Sequence, residues 1–296
     1  MTTPPITGVF CASLTPLDED LSPNKGAFVA HARGLLESGC DGVALLGTTG
    51  EANSFSVAER KALLEAAVAG GIEPRRLMPG TGVTALAETV DLTRHALSVG
   101  VTNVVMLPPF YYKGITDDGL FAFYGEVVER VADPRLRVVL YHIPQFSAVP
   151  IPDAVIARLR DRYPGTFVGV KDSSGDLAHM TALVERFPGL AVFAGADPLM
   201  LPLLAKGGAG CITATTNLGA ADHAFVYRNH ADPARRAEVE AAQARIVADR
   251  NRASQYAQMA SLKTIVAHRT GDPGWRRMHP PLTPLPEAEA AALLAG

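Results

Sequence analysis

The chain has 296 residues, a formal net charge of -3 and no Lys/Arg block, which excludes a nucleic acid or an anionic membrane surface as an electrostatic partner and points to a small-molecule role. No apolar run approaches the roughly 20 residues that span a bilayer. The opening MTTPPITGVF lacks a basic stretch followed by an apolar one, so a cytoplasmic protein is expected.

Short apolar runs bounded by Gly, Pro or Asp alternate with segments of helical periodicity, the pattern of βα units around a parallel sheet. The runs are Val9 to Leu14, Gly42 to Leu46, Arg76 to Gly80, Asn103 to Leu107, Arg137 to Tyr141, Thr166 to Val170, Ala191 to Ala194 and Gly210 to Thr213. VVML, VVLY and FVGV are continuously apolar, as strands buried on both faces require. From Ser56 to Ala69, the residues Ala62, Leu63, Ala66 and Ala67 fall at helical spacing behind Ser56 as N-cap. After the eighth run, roughly Asp222 to Gly296 is Ala-rich and helical, broken by the Pro-rich stretch Asp272 to Pro286. The expected fold is α/β: a (β/α)8 TIM barrel over residues 1–221 with a C-terminal helical appendage over 222–296. A doubly wound open sheet fits less well, because eight strand-like runs are too many and the first βα turn lacks G-x-G-x-x-G.

Cys11, Cys40 and Cys211 are widely spaced and sit in or beside apolar segments, where free cysteine behaves as a small hydrophobe. None has a basic neighbour in sequence that would lower its pKa, so they read as buried thiols in a reducing compartment.

Reactive side chains of α/β barrels stand at the C-terminal ends of strands. The sixth run ends in Gly169-Val170-Lys171-Asp172, and of the six lysines only Lys171 closes an apolar run. Desolvation there lowers a lysine pKa and frees an amine for Schiff-base formation. The competing reading is an ion pair with Asp172. The fifth run ends in Tyr141-His142-Ile143-Pro144, one strand away, so the Tyr141 phenol can reach the same spot as proton donor and acceptor, although a packed core tyrosine would look the same in sequence. His142 has the opposite parity and reads as a packing residue.

The second run ends in Gly47-Thr48-Thr49-Gly50-Glu51, whose exposed amides and two hydroxyls suit a carboxylate, though such turns also serve conformation alone. Gly195-Ala196-Asp197 and Thr213-Ala214-Thr215 close the seventh and eighth runs with groups suited to substrate hydroxyls. Asp197 reads equally as a helix N-cap. No His, Asp or Glu pair has metal-ligand spacing at a strand end, so no metal or other cofactor is expected.

GTTGE at Gly47 to Glu51, YHIP at Tyr141 to Pro144 and GVKDSSGD at Gly169 to Asp176 together resemble the dihydrodipicolinate synthase and N-acetylneuraminate lyase superfamily. The resemblance covers essentially the whole chain, including Pro280 to Leu282. It implies that Lys171 condenses with pyruvate or a 2-keto acid, that Thr48 and Thr49 hold the carboxylate, and that Tyr141 shuttles protons. It also implies that Tyr111 is lent by a neighbouring subunit of a homotetramer built as a dimer of dimers.

Departures from the family pattern narrow the substrate. Phe146 stands where dihydrodipicolinate synthases carry a carboxylate-binding arginine, and Pro198 where sialic acid lyases carry a glutamate. The expected activity is cleavage or formation of a 2-keto-3-deoxy acid, with Ser173, Gly195, Asp197 and Thr213 near the substrate tail and Phe146 as an apolar wall. Dehydration of such an acid, dihydrodipicolinate synthesis and a non-catalytic ligand-binding barrel are the competing readings.

Overall fold

The computed structural model describes residues 5–295. Its strands are β1 (Gly8–Ala12), β2 (Gly42–Ala44), β3 (Asn103–Met106), β4 (Arg137–His142), β5 (Phe167–Asp172), β6 (Ala191–Ala194) and β7 (Gly210–Thr213). The helices among the described residues are α1 (Lys25–Glu37), α2 (Val57–Ala69), α3 (Leu86–Ser98), α4 (Asp117–Val131), α5 (Pro144–Ser147), α6 (Asp153–Arg162), α7 (Leu177–Arg186) and α8 (Met200–Leu204), followed by α9 (Thr216–Asn229), α10 (Arg236–Ala253), α11 (Gln258–Thr270) and α12 (Glu287–Ala295). The strands form one parallel sheet in the order β2-β1-β7-β6-β5-β4-β3, the alternating α/β arrangement of a TIM barrel, with further helices closing the chain. Among the described residues no helix is long and apolar enough to cross a membrane.

The third apolar run departs from expectation. Pro74–Arg76 is a 3-10 turn, and Leu77 to Thr81 touches β3 through one bridge, Gly80 to Val105. The Val105 amide donates to Pro79 O at 3.0 Å and the Thr81 amide to Val105 O at 3.0 Å. Pro79 has no N–H to extend the ladder, so a strand position is present without a strand's hydrogen bonding.

Two compact units are distinguished: the chain up to Gly8 with Glu73–Ile212, and Val9–Ile72 with Thr213 onwards. In the first, β3 to β6 pair in parallel, and Val104, Val139, Leu140, Val170, Val192 and Phe193 are buried. The three cysteines, distributed over both units, are buried and form no disulfide, as expected.

In the second unit β1 pairs with β2, and α2 begins with a full capping box in which Ser56 and Glu59 satisfy each other's backbone amides. Leu14, Leu262, Val266 and Trp275 form one apolar cluster, and Ala260, Ile265, Met278, Leu285 and Leu293 another. Asn217 pins the end of β1: its Oδ1 accepts from the Leu14 amide at 3.1 Å, and its Nδ2 donates to Ala12 O at 2.9 Å and Ala214 O at 2.7 Å. His31 Nε2 lies 2.8 Å from the same Oδ1, with its ring edge-on to Trp275.

Burial pulls the His31 imidazole below its ordinary 6.5, against the hydrogen bond to Asn217. A histidine whose folded pKa is depressed supports the fold fully above its unfolded value. That support is lost as the pH falls below about 6.5, by at most ~1.4 kcal/mol per pH unit. The thermal midpoint should therefore drop more steeply between about pH 7 and about pH 5 in the parent protein than in His31→Gln, as calorimetry would measure. Parallel curves would remove His31 from the acid response.

Candidate active site

Strand register decides which side chains meet in the first unit. β4 and β5 run in parallel with Tyr141 opposite Lys171 and His142 opposite Asp172. Successive residues of a strand face opposite ways, so Tyr141 and Lys171 share one face while His142 and Asp172 share the other. Lys171 is 5% exposed and its Nζ lies 3.9 Å from the centroid of the Tyr141 ring, itself 3% exposed. An ammonium over an aromatic face is attracted by the ring quadrupole. The phenol and the amine expected at one spot are therefore together.

The competing ion pair between Lys171 and Asp172 is not formed, because the two side chains point to opposite faces. Asp172 is fully buried; its Oδ1 accepts from the Ser174 amide at 2.8 Å and its Oδ2 lies 2.6 Å from His179 Nδ1. The other His179 nitrogen lies 3.5 Å from Asp153, which is paired in turn with Arg186. His142 packs its ring 5.1 Å from that of His179 and accepts the Ile151 amide on Nδ1 at 3.2 Å, which fixes the proton of the neutral ring on Nε2. Burial pulls His142 below its ordinary value, opposed by the charge of Asp172. Its packing role is as expected from strand parity.

Sequence spacing shows no ligand pair here, yet folding brings potential ligand atoms of His142, Asp172 and His179 within 4.8 Å of one another. Ligand atoms around a tetrahedral zinc stand roughly 3.3 Å apart, given metal–nitrogen distances near 2 Å. The 2.6 Å contact between Asp172 and His179 is a hydrogen bond that leaves no room for an ion between them.

The loop after Lys171 is tightly held. The Ser173 amide donates to His142 O at 2.8 Å, Gln145 Nε2 donates to Ser173 O at 2.6 Å, and the Gly195 amide donates to Asp172 O at 2.7 Å. A Cβ at Gly195 would collide with the Ser173 hydroxyl, so this glycine provides the space into which Ser173 packs. Asp197 is fully buried at the start of the turn Asp197–Leu199, whose N-cap position belongs to Ala196. The N-cap reading of Asp197 is thus not realised.

Tyr111, Tyr112 and Phe146 are the exposed large hydrophobic side chains among the described residues, at 72%, 72% and 68%. Tyr111 and Tyr112 stack edge to face, and Lys113 ties their segment to α5 by donating to Ser147 O at 3.0 Å as well as to Phe110 O.

In the second unit, Thr48 and Thr49 are half-buried in a turn closed by the Glu51 amide donating to Thr48 O at 3.1 Å and the Ala52 amide to Gly47 O at 3.2 Å. Thr213 is buried, with its hydroxyl 2.7 Å from that of Thr216 and 3.4 Å from His223 Nε2. His223 Nδ1 bonds to Gly219 O, so Nε2 of the neutral ring is the acceptor toward Thr213.

Two charged residues escape notice in the sequence. Glu51 and Lys263 are an ion pair with both side chains fully buried. The signal was the stretch ASLKTIVA, apolar on both sides of its lysine, where a charge is almost never buried without a partner.

With this geometry in view, the chain matches the Dihydrodipicolinate synthetase family over residues 5–295. It is 37% identical over 290 residues to an uncharacterized DapA-like lyase of Chloroflexus aurantiacus, covering 97% of this chain and 95% of that one. Among solved structures it resembles dihydrodipicolinate synthase from Agrobacterium tumefaciens, with a TM-score of 0.87, 30% identity and coverage of 98% and 97%. It also resembles YagE from E. coli K12, a prophage protein of the dihydrodipicolinic acid synthase family solved in complex with pyruvate, with a TM-score of 0.88, 25% identity and coverage of 98% and 96%.

Replacing Asp172 by alanine removes the acceptor shared by His179 and the Ser174 amide. Chemical denaturation should show a loss of about 3–5 kcal/mol for Asp172→Ala. Asp172→Asn, which keeps an acceptor without the charge, should lose about 1–3 kcal/mol. Equal losses would mean that the charge of Asp172 is immaterial.

Proposed function

Because the chain belongs to the dihydrodipicolinate synthetase family and is a class I lyase, we propose that it cleaves or forms a 2-keto-3-deoxy acid, with pyruvate and an aldehyde as the other side of the reaction, through a Schiff base on Lys171. The observation that carries this reading is the buried Lys171 amine held over the Tyr141 ring and free of Asp172. A buried amine that keeps no carboxylate partner is suited to attack a ketone.

In the cleavage direction the Lys171 amine adds to the C2 keto group and water leaves, giving a protonated imine. The C4 hydroxyl gives its proton to Tyr141 as the C3–C4 bond breaks, the bonding pair passes into the imine as an enamine, and the aldehyde departs. Protonation at C3 and hydrolysis release pyruvate and restore the amine. Thr48 and Thr49 are assigned to the C1 carboxylate, and Ser173, Gly195, Asp197 and Thr213 to the substrate tail. Phe146, exposed on α5 without a guanidinium to offer, supports a substrate that lacks a second carboxylate there. Tyr111, equally exposed, is assigned to the site of a neighbouring copy in a homotetramer. A cytoplasmic location completes the reading.

Borohydride added with pyruvate should leave a reduced adduct on the tryptic peptide containing Lys171, read by mass spectrometry. An adduct on Lys206, or none, would sink the mechanism. A screen of 2-keto-3-deoxy acids for pyruvate release should find a substrate, whereas condensation of pyruvate with aspartate semialdehyde at about 10 s⁻¹ would contradict the reading of Phe146.

Tyr141→Phe should lower kcat by roughly 100-fold or more. Mixing it with Tyr111→Phe, with subunit exchange, should restore activity, since a mixed dimer then holds one site with both tyrosines. Proven exchange without recovery would place Tyr111 in its own subunit.

A further inference from the structure

The turn that carries Thr48 and Thr49 is open at its tip and locked at its stem. Gly47, Thr48 and Thr49 are half-buried, whereas Gly50 and Glu51 are buried. Gly50 is clamped toward the end of β1: its carbonyl accepts from Thr15 Oγ1 at 2.9 Å, and a Cβ there would sit 2.9 Å from Ser13 O. Glu51 holds a left-handed backbone, φ 57 and ψ 29, that a non-glycine residue adopts only where its surroundings over-determine it. Those surroundings are α11 and the segment around Arg277 and His279. Glu51 Oε1 pairs with Lys263 Nζ from α11, and Oε2 accepts the His279 amide at 2.9 Å. Lys263 completes its coordination by donating to Arg277 O at 2.7 Å.

A buried ion pair is poor evidence of stabilisation, since well-packed apolar side chains of similar volume do as well. What it supplies is direction. The α11 helix is buried at every position from Ala260 to Ala267, so it provides a fixed base for the pair. Burial pulls the Lys263 ammonium below its ordinary range, opposed by the charge of Glu51 and the hydrogen bond to it.

We infer that the Glu51–Lys263 pair is a positioning device by which α11 and the segment around Arg277 and His279 set the affinity of the Thr48–Thr49 turn for the carboxylate of the 2-keto acid. This rests on the assignment of that turn to the carboxylate. Neither Glu51 nor Lys263 touches substrate; both act through the backbone of residues 47–51.

The test is the concentration of pyruvate that gives half-maximal borohydride trapping on Lys171, measured on the full-length protein. Lys263→Met strands a buried carboxylate and should raise this value about tenfold or more. Adding Glu51→Gln to Lys263→Met should bring the value back to within about threefold of the parent, because no buried charge then remains. Maximal trapping should be little changed in either.

Glu51→Asp keeps the charge but shortens its reach, so it should raise half-saturation even where Lys263→Met does not fold. If Thr48→Val and Thr49→Val leave half-saturation unchanged, the carboxylate assignment of the turn fails and this proposal with it. If they raise it while Lys263→Met, or in its absence Glu51→Asp, does not, the turn reading stands and the coupling is overturned.

Discussion

Lys171 and Asp172 are neighbours in a strand, and the two-residue period of a strand forbids them a common face. This constraint separates the amine from the nearest carboxylate. A lysine at a loop position could fold back onto an adjacent aspartate and settle as an ion pair, but here the pairing of β4 with β5 turns Lys171 toward Tyr141 and Asp172 toward His142 and His179. The same register thus does two things. It leaves the amine beside a phenol, and it gives the carboxylate a dense set of partners on the side of α6 and α7 that holds the strand end and the loop beyond it.

That second set explains how the loop 173–176 is held directly after Lys171 and Asp172. Asp172 contributes both its carbonyl and its carboxylate to the loop's surroundings, through the amides of Gly195 and Ser174. Gln145 reaches across from α5 to the Ser173 carbonyl, one residue from the exposed Phe146.

Much of this was legible in the sequence. The alternation of apolar runs with helical periods gives the fold class, and the residues closing the runs at Tyr141 and Lys171 prove to face each other. The third run misled because periodicity reports burial: Leu77 and Met78 are fully buried, as a strand would be, but Pro79 cannot donate and the ladder shrinks to one bridge. Contacts between residues far apart in sequence were not legible. His142, Asp172 and His179 have no telling spacing, and Asn217 reaches β1 across about two hundred residues. Glu51 and Lys263 are separated by a similar span, so that neither advertises the other.

The Glu51–Lys263 pair and the Lys171–Tyr141 pair are two solutions to one problem, the burial of a lysine. Lys263 is neutralised by a carboxylate and two backbone partners lie around the pair, so its amine is occupied and chemically quiet. Lys171 is buried almost as deeply but against an aromatic face, which attracts the ammonium without accepting a full hydrogen bond from it. Burial alone therefore does not mark a reactive lysine. What separates the two is the partner: the Lys263 amine is held by a carboxylate and a backbone carbonyl, whereas the Lys171 amine lies against a ring face.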